Sequence, residues 1–285
     1  MSPDFRATSA SFGLRAVRLP WSLGGAVLAL LLFGLSTPAS AGKSDFDHSY
    51  KEWDGLLRAT VAGGKVDYGA AAGDPRLGRF LESLASVSPE AVVSWSRAQQ
   101  VAFYINAYNA ITIQTIVDAM PVKSIRDIKP NPWDNARWTV GGRTVSLDTI
   151  EHKKLRKDLV EPRVHFVLVC AARSCPDLPA RAILSARLDE QLDGAARTFF
   201  GDSSKNRINR EDGRLELSAI LHWFGKDFVG WDGLADVSVS GQRSDAEVAV
   251  IRALASFVSA KDREFLTSGS FEVVYNEYDW GLNGR

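Results

Sequence analysis

The sequence predicts an α+β fold: a single globular domain, mainly helical, with a small sheet. Three observations lead there. Apolar residues recur at helical spacing along most of the chain. Period-two alternation is confined to a few short segments. Helical and extended segments follow one another in irregular order, without the regular strand–helix repeat of a parallel sheet.

The elements follow in chain order. Phe46, Tyr50, Trp53 and Leu57 predict an amphipathic helix over 45–58. Gly63-Gly64 and 70–74 are loop, around a short segment from Lys65 to Tyr68. Leu77, Phe80, Leu81 and Leu84 mark a second helix, closed before Pro89. Ser96 and Gln99 form a capping box that opens the longest helix, 97–119, with Pro121 just beyond it. Residues 129–137 hold two prolines and read as loop. Arg137 to Val140 and Thr144 to Ser146 flank Gly141-Gly142 as a hairpin. Ser146 then caps a helix through Arg156. Arg163 to Cys170 is a branched apolar run and predicts a strand buried on both faces. A further helix carries Leu188, Leu192, Ala196 and Phe199. A hairpin over 207–217 turns at Asp212-Gly213. Ser218 caps a helix with Leu221 and Phe224. Val248, Ile251, Leu254 and Phe257 form the last helix, and Phe271, Val273 and Tyr275 a closing strand.

The first 41 residues read as an export signal. Arg6, Arg15 and Arg18 precede the apolar run Leu23 to Leu35, and Ala39-Ser40-Ala41 suits a signal peptidase. The run is shorter than the roughly 20 residues of a spanning helix. The expectation is cleavage after Ala41, a periplasmic or extracellular location, and no stable membrane anchor afterwards. The remainder divides into an N-terminal helical extension, 42–94, and 95–285, both within one domain.

The whole chain has 34 basic and 34 acidic residues. Loss of the leader removes three arginines and one aspartate and leaves a net charge of about −2. That balance argues against nucleic acid as a partner. It leaves a small-molecule or peptide-like ligand as the expected partner class.

Five ordered blocks resemble one family. They are Ala102–Ala110 (AFYINAYNA), Ser146–His152 (SLDTIEH), Val164–Cys170 (VHFVLVC), Ala171–Pro176 (AARSCP) and Tyr278–Asn283 (YDWGLN). In these blocks the chain resembles the domain-of-unknown-function family 547, whose name assigns no activity.

The residues themselves suggest chemistry. Cys170 ends the predicted strand, where an open sheet places its ligand crevice. Ala171 and Ala172 beside it leave backbone amides accessible as oxyanion donors. Cys170 is therefore the candidate nucleophile. His152 is its candidate base and Asp148, one helical turn earlier, the orienting group. Glu151 is adjacent to His152 and faces another way. His165 is either a second base or a packed core histidine. His48 and His222 complete the histidines. The competing reading is a structural Cys170–Cys175 disulfide in a non-catalytic binding or scaffold domain, since an exported chain meets oxidising conditions. The C-x4-C spacing is not the C-x-x-C redox motif, and a loop this short is stabilised only modestly by its bridge. Asn106 and Asn109 inside the longest helix, and Arg173 with Asp279, are supporting candidates. The His and Cys spacings match no standard metal module, and no phosphate-binding or serine-elbow motif calls for a cofactor.

Overall fold

The computed structural model describes residues 46–285. The expected signal peptide lies outside the described residues. Asp47 sets the start of the first helix: its carboxylate accepts hydrogen bonds from Ser49 N and Lys51 N. Helix α1 therefore runs Lys51–Thr60, later than the apolar spacing alone implies. The two-stranded ribbon β1 (Val61–Ala62) and β2 (Lys65–Val66) follows, and then α2 (Tyr68–Ala72), α3 (Pro75–Ser86) and α4 (Pro89–Ser94). The second helix closes before Pro89, as expected, and Pro89 itself opens α4. Ser88 caps it, and proline suits a first turn whose N–H groups lack partners in any case.

Helix α5 (Arg97–Ala119) is the centre of the domain, buried on nearly every face from Val101 to Ile116. Ser96 and Gln99 form the expected capping box. Hairpin β3 (Trp138–Val140) and β4 (Arg143–Val145) turns at Gly141-Gly142. Both glycines have positive φ, 58° and 65°, as a two-residue turn of this kind requires.

Two segments depart from expectation. The helix after Ser146 is a π-helix, Thr149–Asp158. The run from Arg163 to Cys170 is not a strand. Pro162–Phe166 forms a 3-10 turn, capped by the Glu161 carboxylate on Arg163 N. The chain then straightens, and Asn109 of α5 takes the role of a neighbouring strand. Its Nδ2 donates to Val167 O (2.9 Å) and its Oδ1 accepts from Val169 N (3.0 Å). A buried apolar run does not by itself choose between strand and turn.

Helix α6 (Leu188–Gly201) leads into β5 (Arg207–Asn209) and β6 (Arg214–Leu217), then α7 (Ala219–Phe224), α8 (Asp245–Phe257) and α9 (Ala260–Ser268). Strand β7 (Glu272–Tyr275) pairs parallel to β6 and completes a three-stranded sheet. The fold is α+β and mainly helical, as expected, but its strands form three small sheets among the described residues.

Two hydrophobic cores result. One is built on α1 to α5 and the 164–192 region. The other joins α6, α8, β6 and Phe228. Tyr278 packs against both. No helix among the described residues is long and apolar enough to cross a membrane.

Candidate functional site

A cavity of about 170 Å³ opens beside the seam of the two cores. Cys170, Cys175, His152, His165, Asp148 and Glu151 all line it. These come from the π-helix, the 3-10 turn and the loop that Asn109 holds. Aromatic walls are supplied by Tyr108, Trp133, Trp223, Phe224, Tyr278 and Trp280.

The two cysteines form a disulfide. Cys170 is half-buried and Cys175 is buried. Cys170 N donates to the Cys175 sulfur at 3.0 Å. The Tyr278 hydroxyl lies 3.2 Å from one sulfur and 3.1 Å from the other. Burial pushes that phenol above its ordinary pKa, so it stays a neutral donor. Between the cysteines, Ala171 adopts a positive φ of 61°, a conformation uncommon for a residue other than glycine. The C-terminal strap holds the loop in that shape. Arg173 N donates to Gly281 O, Ser174 N to Asp279 O, and Asn283 N to Ala171 O. The amides of Val169, Cys170, Arg173, Ser174 and Cys175 are thus already committed. The amides of Ala171 and Ala172 make no such bond, and both residues are buried and do not line the cavity.

The two histidines are joined through an ion pair that sequence reasoning missed. His165 Nε2 lies 2.7 Å from Asp227 Oδ2. Arg156 grips the same carboxylate through Nε and Nη2, at 2.5 and 3.0 Å. Its Nη1 donates to His152 Nδ1 at 2.6 Å, and His152 Nε2 faces Asp148 at 3.5 Å. Burial alone would raise the Asp227 pKa, but the hydrogen bonds from His165 and Arg156 outweigh it and hold the carboxyl well below the usual range. His165 is buried, stacked on Phe224 with ring centroids 4.3 Å apart.

This geometry separates the two histidines. Both ring nitrogens of His152 are engaged, one by Arg156 and one toward Asp148. His165 is held by a carboxylate on one nitrogen, as an oriented base would be. Asp148 is itself unusual. Burial, then a hydrogen bond shared with the Asp134 carboxyl, raises its pKa to about 6, against the opposing pull of His152. Glu151 is buried, and its carboxylate adds to burial in driving up the pKa of the Tyr108 phenol.

The supporting candidates fall into place as follows. Asn106 Oδ1 accepts from Trp53 Nε1 and Ile183 N, while its Nδ2 donates to Ile183 O. It ties α1 and the 183 loop to α5 and does not line the cavity. Arg173 and Asp279 approach to 3.4 Å at an exposed position, where such a pair contributes little. His48 packs edge-on against Trp95, and His222 is exposed beside Tyr275. Asp227 and Arg156 carry no sequence signal. Tyr278 carries one, since it opens the Tyr278–Asn283 block.

Residues 92–200 match the family model described as "Protein of unknown function, DUF547". This segment belongs to the DUF547 family. It supplies Asp148, Glu151, His152, Arg156, His165 and both cysteines. Asp227, Trp223, Phe224, Tyr278 and Trp280 lie beyond the matched DUF547 residues. No curated protein and no solved structure matches the chain.

Proposed function

We infer that the chain is an exported cysteine-dependent enzyme, acting by acyl transfer or hydrolysis of an amide-like bond. The observation that carries this reading is the shared cavity: Cys170 lines it together with His165, and Asp227 holds His165 in a fixed orientation. The disulfide is the resting form. A dithiol reductant opens it, becoming a disulfide itself and leaving two thiols on the protein.

In the reduced form His165 takes the Cys170 proton. The thiolate attacks the acyl carbon, and a C–S bond forms as the C–N bond breaks. The imidazolium returns its proton to the leaving amine. Water, or an acceptor amine, then attacks the thioester. His165 takes the proton from that nucleophile, and the thiolate departs with the proton restored to it. Asp227 stabilises the imidazolium in both halves. Tyr278 donates to the thiolate. His152 and Asp148, the base and orienter expected from spacing, serve instead at the cavity mouth, because Arg156 occupies the imidazole.

The test is alkylation of reduced protein by iodoacetamide across pH. The expected result is a Cys170 thiol reacting faster than free cysteine at neutral pH, and slowing in His165→Gln. A Cys170 no more reactive than free cysteine removes the enzymatic reading. A second reading, a binding or scaffold domain stapled by the bridge, is favoured by the closed disulfide itself.

The export expectation belongs to the same proposal. Its test is N-terminal sequencing of the protein from the periplasmic or extracellular fraction. The reading requires a chain that begins at Gly42.

A further inference from the structure

We propose that the cavity takes a small organic cation, a substrate or ligand whose buried end is a protonated amine. The inference rests on this cavity being the working site. It does not require the thiol to be a nucleophile.

Charge complementarity carries it. The lining contains two carboxylates, Asp148 and Glu151, and no lysine or arginine. Their depths differ. The Asp148 side chain is 36% exposed, at the mouth, and Glu151 is 9% exposed, further in. A cation entering from solvent meets them in that order. The nearby guanidinium of Arg156 is paired with the Asp227 carboxylate, so it offsets the charge of Asp148 and Glu151 only in part.

The walls suit the same ligand. Trp223, Tyr278 and Trp280 cluster with ring centroids 4.6 to 6.1 Å apart. Aromatic faces attract cations and shelter their alkyl portions. Two of the lining rings already do so: Arg126 sits 5.2 Å over Trp280, and Arg156 4.7 Å over Phe224. The size of the cavity, about 170 Å³, fits a short alkylammonium end and excludes a bulky head.

The groups facing Asp148 make its charge adjustable. Asp134 in the preceding loop and Glu151 on its own helix oppose ionisation, His152 favours it, and Tyr108 of α5 lies in its field. Acidification neutralises Asp148 and weakens attraction for the cation.

The experiment uses the oxidised protein, so that thiol reactivity plays no part. Butylammonium, butanol and butyrate are titrated against the fluorescence of the tryptophans, three of which line the cavity. The expected result is saturable quenching by butylammonium, at least tenfold tighter than by butanol, with none by butyrate. Affinity falls severalfold between pH 7.5 and pH 5. Asp148→Asn, at a partly exposed position, reduces the preference for butylammonium over butanol. Asp148→Asn with Glu151→Gln abolishes it. Equal binding of butanol, preference for butyrate, or no saturable quenching overturns the proposal. Failure here leaves the iodoacetamide result standing. Success here with an unreactive thiol leaves a cation-binding domain.

Discussion

The Asp227 carboxylate meets Nε2 of His165 at 2.7 Å, across 62 residues of chain. The contact ties the 3-10 turn that carries His165 to the segment after α7 that carries Asp227. It also shares its oxygen with Arg156. An asparagine in place of Asp227 removes the charge that pairs with Arg156 and orients His165, and leaves Arg156 partly desolvated.

Asp227→Asn is therefore expected to destabilise the protein by about 2 kcal/mol at neutral pH, less than for a fully buried pair because the carboxylate is partly exposed. The sign of the pH dependence follows from the depressed pKa. The folded carboxyl ionises at lower pH than the unfolded one, whose pKa is about 3.9. Its stabilisation is present above that value and is lost as pH falls toward the folded pKa. Urea denaturation of both proteins at pH 7 and pH 3 measures this. A difference that stays constant between the two pH values refutes the ionic account.

Tyr278 touches both sulfurs, and its effect divides by redox state. In the oxidised protein, Tyr278→Phe removes one neutral contact and is expected to cost about 1 kcal/mol by denaturation. In the reduced protein the hydroxyl is a donor to the Cys170 thiolate, a charge-assisted bond of greater strength. Alkylation of Cys170 at pH 7 is expected to slow by about fivefold, equivalent to roughly 1 kcal/mol. An unchanged alkylation rate removes Tyr278 from the thiolate's environment.

Much of the fold was legible because its signals are local. Ser96, Gln99 and the apolar positions fix α5 over 97–119 without reference to the rest of the chain. Gly141-Gly142 and Asp212-Gly213 fix their hairpins in the same way. The 163–170 segment was legible as buried but not as a turn. Its backbone partner is the side chain of Asn109, about 60 residues upstream, and no short-range pattern encodes that pairing. The site divides along the same line. Thiols and imidazoles are scarce, so Cys170, Cys175, His152 and His165 stand out in any reading. Asp227 is one of many acidic residues, and its neighbours Lys226 and Phe228 give it the look of an ordinary surface turn. Only tertiary packing selects it.

Asn109 is the residue on which the cavity floor depends. Asn109→Ala removes a donor to Val167 O and an acceptor for Val169 N, both buried. The segment lacks a neighbouring strand to replace them. The expected loss is about 3 kcal/mol, from two buried backbone groups left without partners. Hydrogen exchange provides a sharper check than denaturation alone. The Val169 amide is expected to lose protection well beyond the global change in stability. A uniform loss across the chain shows that Asn109 acts on packing in general and not on this segment.

The disulfide closes a short loop, with five residues of separation. Chain entropy then assigns it about 2 kcal/mol, since the effect grows only with the logarithm of loop length. Reduction is expected to add two protons to the intact mass and to lower unfolding stability by about that amount, with the fold retained. The retention follows from the packing. The strap of Gly281 and Asn283 holds the loop through backbone hydrogen bonds that do not involve sulfur. Circular dichroism and denaturation with and without dithiothreitol measure both effects. Collapse of the fold on reduction would mean that the bridge, not the strap, shapes the loop. It would also rule out a reduced working form.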